Sequence, residues 1–153
     1  MKTSLPSTHL YRRGTAASVS VFGVDVQILA NGAQTGGVTA AYLADCVPGA
    51  GAPPHRHEAS DETFYVLEGT FDILCGDTVQ RVGPGDLVFA PRGSAHSFQC
   101  VGPQPGRLLG CCQPSGHEDF FLDCAAAVAD GTFSPEVGRN ICLRHGIELL
   151  IPG

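Results

Sequence analysis

Two histidines one residue apart, His55 and His57, then Glu62 and later His96, are the residues of this chain most able to do chemistry. Residues two apart in an extended backbone face the same way. Pro53-Pro54 bias the stretch toward extension, so both imidazoles can enter one cavity while Arg56 points out. Glu62 follows across a short turn, and Pro91-Arg92-Gly93-Ser94 can return the chain so that His96 reaches the same place. Three neutral imidazoles and one carboxylate suit Fe, Mn, Co, Ni, Cu or Zn without selecting among them. They leave a net positive centre with room for water, substrate or dioxygen. The expected cofactor is one divalent transition-metal ion.

Such a site needs strands to hold it. From Val19 to Leu109 short β-rich runs alternate with Gly, Pro, Asn and Asp turns, the habit of a sandwich or barrel. Val24, Val26, Ile28 and Ala30 keep a period of two up to a turn at Asn31-Gly32, and Val38, Ala40, Tyr42, Ala44 and Cys46 repeat it. Further strands are predicted over 63–67, 70–74, 78–82, 87–90, 95–100 and 107–112, separated by turn chemistry such as Gly83-Pro84-Gly85-Asp86. Beyond Pro114 the pattern becomes helical over 117–129. A second helix starts at Ser134-Pro135-Glu136, an N-cap, a proline at the first helical position and an acid in the first turn, and Gly146 stops it. The expected organisation is an N-terminal arm over 1–18 and a single domain over 19–153, its barrel ending near 114.

Composition excludes several classes of function. With 153 residues, 43% apolar and 16% charged, the chain suits one folded domain. A formal charge of −6 without a Lys/Arg cluster leaves little to bind nucleic acid or an anionic membrane. The N-terminus lacks the apolar run of a signal peptide, so the expectation is a cytoplasmic protein. The seven cysteines are odd in number and show no CxxC spacing, and they are expected to be reduced and to behave as small apolar side chains.

The glycines around the candidate ligands add specificity. Gly49, five residues, His55, one residue, His57, four residues, Glu62, six residues and Gly69 form one pattern. Gly85, five residues, Pro91, one residue, Gly93, two residues and His96 form a second. In both spacings the chain resembles the cupin superfamily. Pro91 to Phe98, Pro114 to Phe121 and the ending His145-Gly146-Ile147-Glu148 are similar to small single-domain cupins described as quercetin-dioxygenase-like. The resemblance implies an all-β double-stranded β-helix, or jelly-roll barrel, with short C-terminal helices, often as a homodimer. It departs at Cys100, where the family's second motif ends in Asn, so Cys100 is not carried over as a ligand.

Carried over to this chain, the resemblance implies a metal-dependent dioxygenase acting on a flavonol or another enolisable or phenolic small molecule. His55, His57 and His96 would hold the ion, and Glu62 would be both ligand and catalytic base. Phe64, Val66, Phe89 and Phe98 are expected to wall the substrate pocket, although such residues in strands are first of all core. Asp61 should be a solvated carboxylate facing away from Glu62. Glu118, beside His117, is explained by a helix N-terminus, and His9 and His145 are read as surface residues. The same scaffold also hosts isomerases and non-catalytic binding or sensing modules. An isomerase should place extra Lys, Arg and His in the cavity.

Overall fold

The computed structural model describes residues 7–16 and 18–151. In chain order the elements are β1 (Ser18–Val21), β2 (Val24–Ala30), a one-turn helix α1 (Gly32–Thr35), β3 (Ala40–Cys46), β4 (Gly51–His57) and β5 (Asp61–Glu68). They continue with β6 (Thr70–Cys75), β7 (Thr78–Val82), β8 (Leu87–Ala90), β9 (His96–Val101) and β10 (Gly106–Gln113). Helices α2 (His117–Ala129) and α3 (Pro135–Arg144) and strand β11 (Ile147–Leu149) complete the described chain. The strands make two antiparallel sheets, ordered β1-β2-β3-β10-β5-β8 and β11-β4-β9-β6-β7, the double-stranded β-helix that the motifs implied.

Alternation explains which side chains meet between the sheets. Along β3 every second residue from Ala40 to Cys46 is buried, so Tyr42 and Ala44 join Phe64, Val66, Phe71, Ile73, Phe98 and Leu108 in one core. Gly110 stands directly across from Tyr42. A Cβ there would lie 2.1 Å from the tyrosine ring, so glycine is what lets Tyr42 lie flat over β10.

The turn expected at Asn31-Gly32 is instead α1. Asn31 caps it by accepting the Gln34 N–H, while the Gln34 side chain accepts the Asn31 N–H. Residues 1–6 and 17 of the expected arm lie outside the described residues. Of the rest, Tyr11 donates to the Gln27 side chain at 3.0 Å and His9 contacts the Gln34 amide at 2.8 Å, so this segment runs along β2 and α1. Helix α3 begins as anticipated, with Ser134 accepting the Val137 N–H and Pro135 in the first turn. His145 is not a free surface residue: its Nε2 lies 2.7 Å from Asp123 on α2, which ties the end of α3 to its neighbour.

Candidate metal centre and ligand cavity

The two sheets bring the four motif residues to one point. His55 and His96 are cross-strand partners on β4 and β9, whereas Glu62 sits on β5 of the facing sheet, opposite Ala90 and Cys112. Between the pairs Ala52–Phe98 and His55–His96, β4 carries one residue more than β9. This bulge falls at Pro53-Pro54, which have no N–H to give to a ladder. The bulge re-aims His55, and the Pro53 carbonyl it frees accepts from His55 Nδ1 at 2.7 Å. His96 Nδ1 is held in the same way by the Ser94 carbonyl at 3.0 Å. Both imidazoles therefore present Nε2 inward, the atom that would ligate a metal once its proton is displaced.

Glu62 is the hub. Its Oε2 lies 3.0 Å from His57 Nε2, 2.9 Å from His96 Nε2 and 4.0 Å from His55 Nε2. The hydroxyl of Tyr42 donates to Oε1 at 2.5 Å, and the thiol of Cys112 approaches the same oxygen at 3.6 Å. All four motif residues are buried, and their donor atoms lie within 4.8 Å of one another. Ligands held about 2.1 Å from one ion stand roughly 3 Å apart when adjacent and roughly 4 Å when opposite, so the donor set fits a transition-metal ion.

Burial and contact with His96 push His55 down to about 4. Burial also pushes His117 down to about 3. For Glu62, burial opposes the charged form, but the hydrogen bonds to His57 and His96 outweigh it and hold the carboxyl well below the usual range. Burial works against a charged His96 too, yet its bond to Glu62 holds it above the ordinary histidine value. Burial and the Glu62 charge push the Tyr42 hydroxyl up, which keeps it a donor. The site thus holds one carboxylate facing the Tyr42 donor, with burial favouring the neutral forms of His55 and His117 beside it.

From this hub an apolar cavity of about 440 Å³ opens between the sheets and runs beneath α2 and α3, within the size range of small-molecule sites. His55, Glu62, Tyr42 and His117 line its deep end, and Phe22, Phe133, Arg139 and Ile151 are among its outer residues. Of the four residues expected to wall the pocket, Phe98 lines the cavity. Phe64 and Val66 are buried core side chains instead, Phe64 backing the His96 ring at 6.0 Å. Phe89 is a correction. It neighbours Ala90, which faces inward across from Glu62, so strand parity turns Phe89 outward, 57% exposed.

Three residues at the hub were not anticipated as functional: Tyr42, Cys112 and His117. His117 opens α2, yet its ring is buried, with Nε2 3.8 Å from Glu62 Oε1 and its centroid 4.8 Å from that of His57. Glu62, Cys112 and His117 form a second, overlapping group of potential metal donors. Glu118 is not merely a helix-terminal acid. It accepts the Gly32 N–H at 2.6 Å and the Gly116 N–H at 2.7 Å, which pins the start of α2 and so the His117 ring. Asp61 does face away from the site, and is ion-paired to Arg92 at 3.0 Å rather than simply solvated. Arg56 points out and pairs with Glu148 at 2.6 Å. Cys100 is fully buried, its thiol on the Gln104 carbonyl at 3.6 Å, and its backbone N–H still reaches Ala50 at 2.8 Å, so strand pairing survives the missing Asn.

Comparison with known proteins agrees with this architecture. The cupin domain family model matches residues 42–111. Quercetin 2,3-dioxygenase of Aspergillus japonicus is 30% identical over 92 residues, 57% of this chain and 26% of that protein. Germin-like protein 5-1 of Oryza sativa subsp. japonica is 29% identical over 155 residues, 92% of this chain and 66% of that protein. The chain thus spans less than two thirds of the dioxygenase and about two thirds of the germin-like protein. Among solved structures, KdgF from Halomonas sp. superposes with a TM-score of 0.66 at 22% identity, covering 74% of this chain and 99% of that one.

Proposed function

The chain belongs to the cupin superfamily, and from that premise we propose that it is a metal-dependent dioxygenase acting on a flavonol-like or other enolisable or phenolic small molecule. His55, His57, Glu62 and His96 would hold one divalent ion of the Fe, Mn, Ni, Co, Cu or Zn group. When bound, that ion supplies Lewis acidity toward a substrate hydroxyl and, for the redox-active members, electron exchange with dioxygen. The observation that carries the reading is Glu62, a carboxylate kept ionised at the closed end of an apolar cavity. It stands within hydrogen-bond reach of the donors a substrate hydroxyl must approach, so it can take the hydroxyl proton. Tyr42 and Cys112 orient Oε1, His117 lies beside that oxygen, and the apolar walls exclude water.

The test is oxygen uptake by metal-loaded protein offered flavonols, β-diketones and hydroxylated aromatics. Consumption dependent on both metal and substrate supports the reading. Its absence across the panel, with metal bound, favours a non-catalytic binding or sensing cupin. An isomerase is the second catalytic reading, favoured by His117 and Arg139 in the cavity wall. It predicts turnover of a sugar or keto acid without oxygen.

Two further proposals accompany this one. Homodimer formation is supported by an apolar strip on the outer face, where Leu87 and Phe89 on the edge strand β8 are 61% and 57% exposed. Replacing both by Lys should then yield monomer in sedimentation. A cytoplasmic setting is supported by the seven free cysteines, Cys46, Cys75, Cys100, Cys111, Cys112, Cys124 and Cys142. Thiol titration of unfolded protein prepared without oxidant should find all seven.

A further inference from the structure

Among the arginines from residue 56 onward, Arg56, Arg81, Arg92, Arg107 and Arg144 are each paired with a carboxylate. Arg139 is the exception: among the described residues no Asp or Glu pairs with it. It stands on α3 immediately after Gly138, whose bare backbone packs against the Phe133 ring, and it lines the outer part of the cavity. The remaining outer wall is apolar, so this guanidinium is its one cation among the described residues.

The mouth has a second unusual feature. The β1–β2 hairpin turns on Phe22 and Gly23, both at positive φ, 54° and 77°. That turn favours Asn-Gly, because a bulky side chain in the left-handed region is strained. Phe22 nonetheless occupies it, half-exposed, and its ring meets Phe133 edge-on with centroids 5.6 Å apart. Both rings line the cavity. A strained residue that a common alternative would relax points to a use for its side chain.

The geometry points to a substrate class for this site: an apolar ring-containing molecule with a hydroxyl at one end and an anionic group at the other. Arg139 holds the anion at the mouth, Phe22 and Phe133 flank the ring system, and the hydroxyl reaches the Glu62 end. The assignment rests on the metal-site reading for its inner half and on Arg139 for its outer half. Guanidinium is suited to this task because its planar fork of N–H groups matches a carboxylate, sulfate or phosphate group. Neutral flavonols would leave that fork without a partner.

The two halves can be tested separately. A hydroxynaphthoate and its methyl ester share ring and hydroxyl and differ in charge, and both can be titrated by fluorescence into zinc-loaded protein. Wild type should prefer the anion by roughly five- to tenfold, a value between those of exposed ion pairs and of charged hydrogen bonds. Arg139→Gln should bind both compounds alike, Arg139→Lys should recover part of the preference, and Phe22→Asn should weaken both compounds equally. In His57→Ala protein shown to be metal-free, affinity should fall but the charge preference should remain. Loss of the preference there would put the carboxylate at the inner end and overturn the assignment. So would a preference that survives Arg139→Gln, or a wild type that binds neither compound or both equally. A wild type that takes up no zinc yet shows the Arg139-dependent preference would sustain this inference while sinking the metal reading.

Discussion

The two ends of the cavity are built on opposite principles. At the inner end Glu62 and the motif histidines are fastened: Glu62 accepts from Tyr42 and Cys112 on one oxygen and meets His57 and His96 on the other, while backbone carbonyls clamp His55 and His96. At the outer end Arg139 has no carboxylate partner among the described residues, and Phe22 sits in a strained turn. On the proposed reading, the contrast assigns the chemistry to a rigid network and the choice of ligand to a sparsely tethered rim. Changes at the inner end should therefore alter rates and metal content, and changes at the rim should alter selectivity with little cost in stability.

The sharpest test of that division is Glu62→Gln, which keeps an oxygen donor of similar size and removes the base. Turnover per bound metal should fall on the order of 10²–10⁴-fold. A fully metallated variant that turns over at the wild-type rate would take Glu62 out of the base role. Next comes His57→Ala, which should lower metal affinity by more than the roughly 10–100-fold seen when a supporting residue is lost. Metal analysis after dialysis reads this directly, and retained affinity would make His57 structural.

Smaller effects probe the network beneath. Gly110→Ala sets a methyl against the Tyr42 ring and should cost about 1–3 kcal/mol in denaturant unfolding, with a drop in activity as Tyr42 shifts from Glu62. A Gly110→Ala protein of wild-type stability and rate would show the ring free to move. Acid should also loosen the metal-free protein. His55 and His117 sit at about 4 and about 3 when folded, below the 6.5 of an unperturbed histidine, so between those values the unfolded chain binds more protons. Stability is then lost as pH falls from about 6.5 toward 4, and the lowered Glu62 adds to the loss below its own unfolded value. His96, whose value is raised, acts in the opposite sense, stabilising at low pH and losing that contribution as pH rises. Melting temperature of metal-free protein across this range checks the balance, and a His117→Phe variant should show a shallower decline. Least of all, Phe22→Asn should change stability by no more than about 1 kcal/mol, because relief of the left-handed strain offsets the lost edge contact with Phe133.

The residues legible in the sequence were those whose spacing is local. His55 and His57 share a face because two residues separate them along one strand, and the glycine-framed spacings placed Glu62 and His96 beside them. The strands over 78–82 and 87–90 end where the turn residues required. Tyr42 could be read as inward-facing but not as a partner of Glu62, because that contact depends on β3 and β5 both pairing with β10. His117 reaches the hub only because Glu118 anchors α2 to α1, a bond spanning 86 positions in the chain. Phe89 was misplaced because the face a side chain takes follows from register, and the register of β8 with β5 is not written in either strand alone.

Strand β11 pairs with β4 so that Ile147 stands across from His57 and Leu149 from His55. During synthesis the ribosome therefore delivers both histidines long before the strand that covers their outer edge. Until residues 147–149 emerge, that edge of β4 is an open template for another chain. Closure by so distant a segment belongs to the slow class of folding contacts. Strand β11 is thus what withdraws that edge of β4 from other chains.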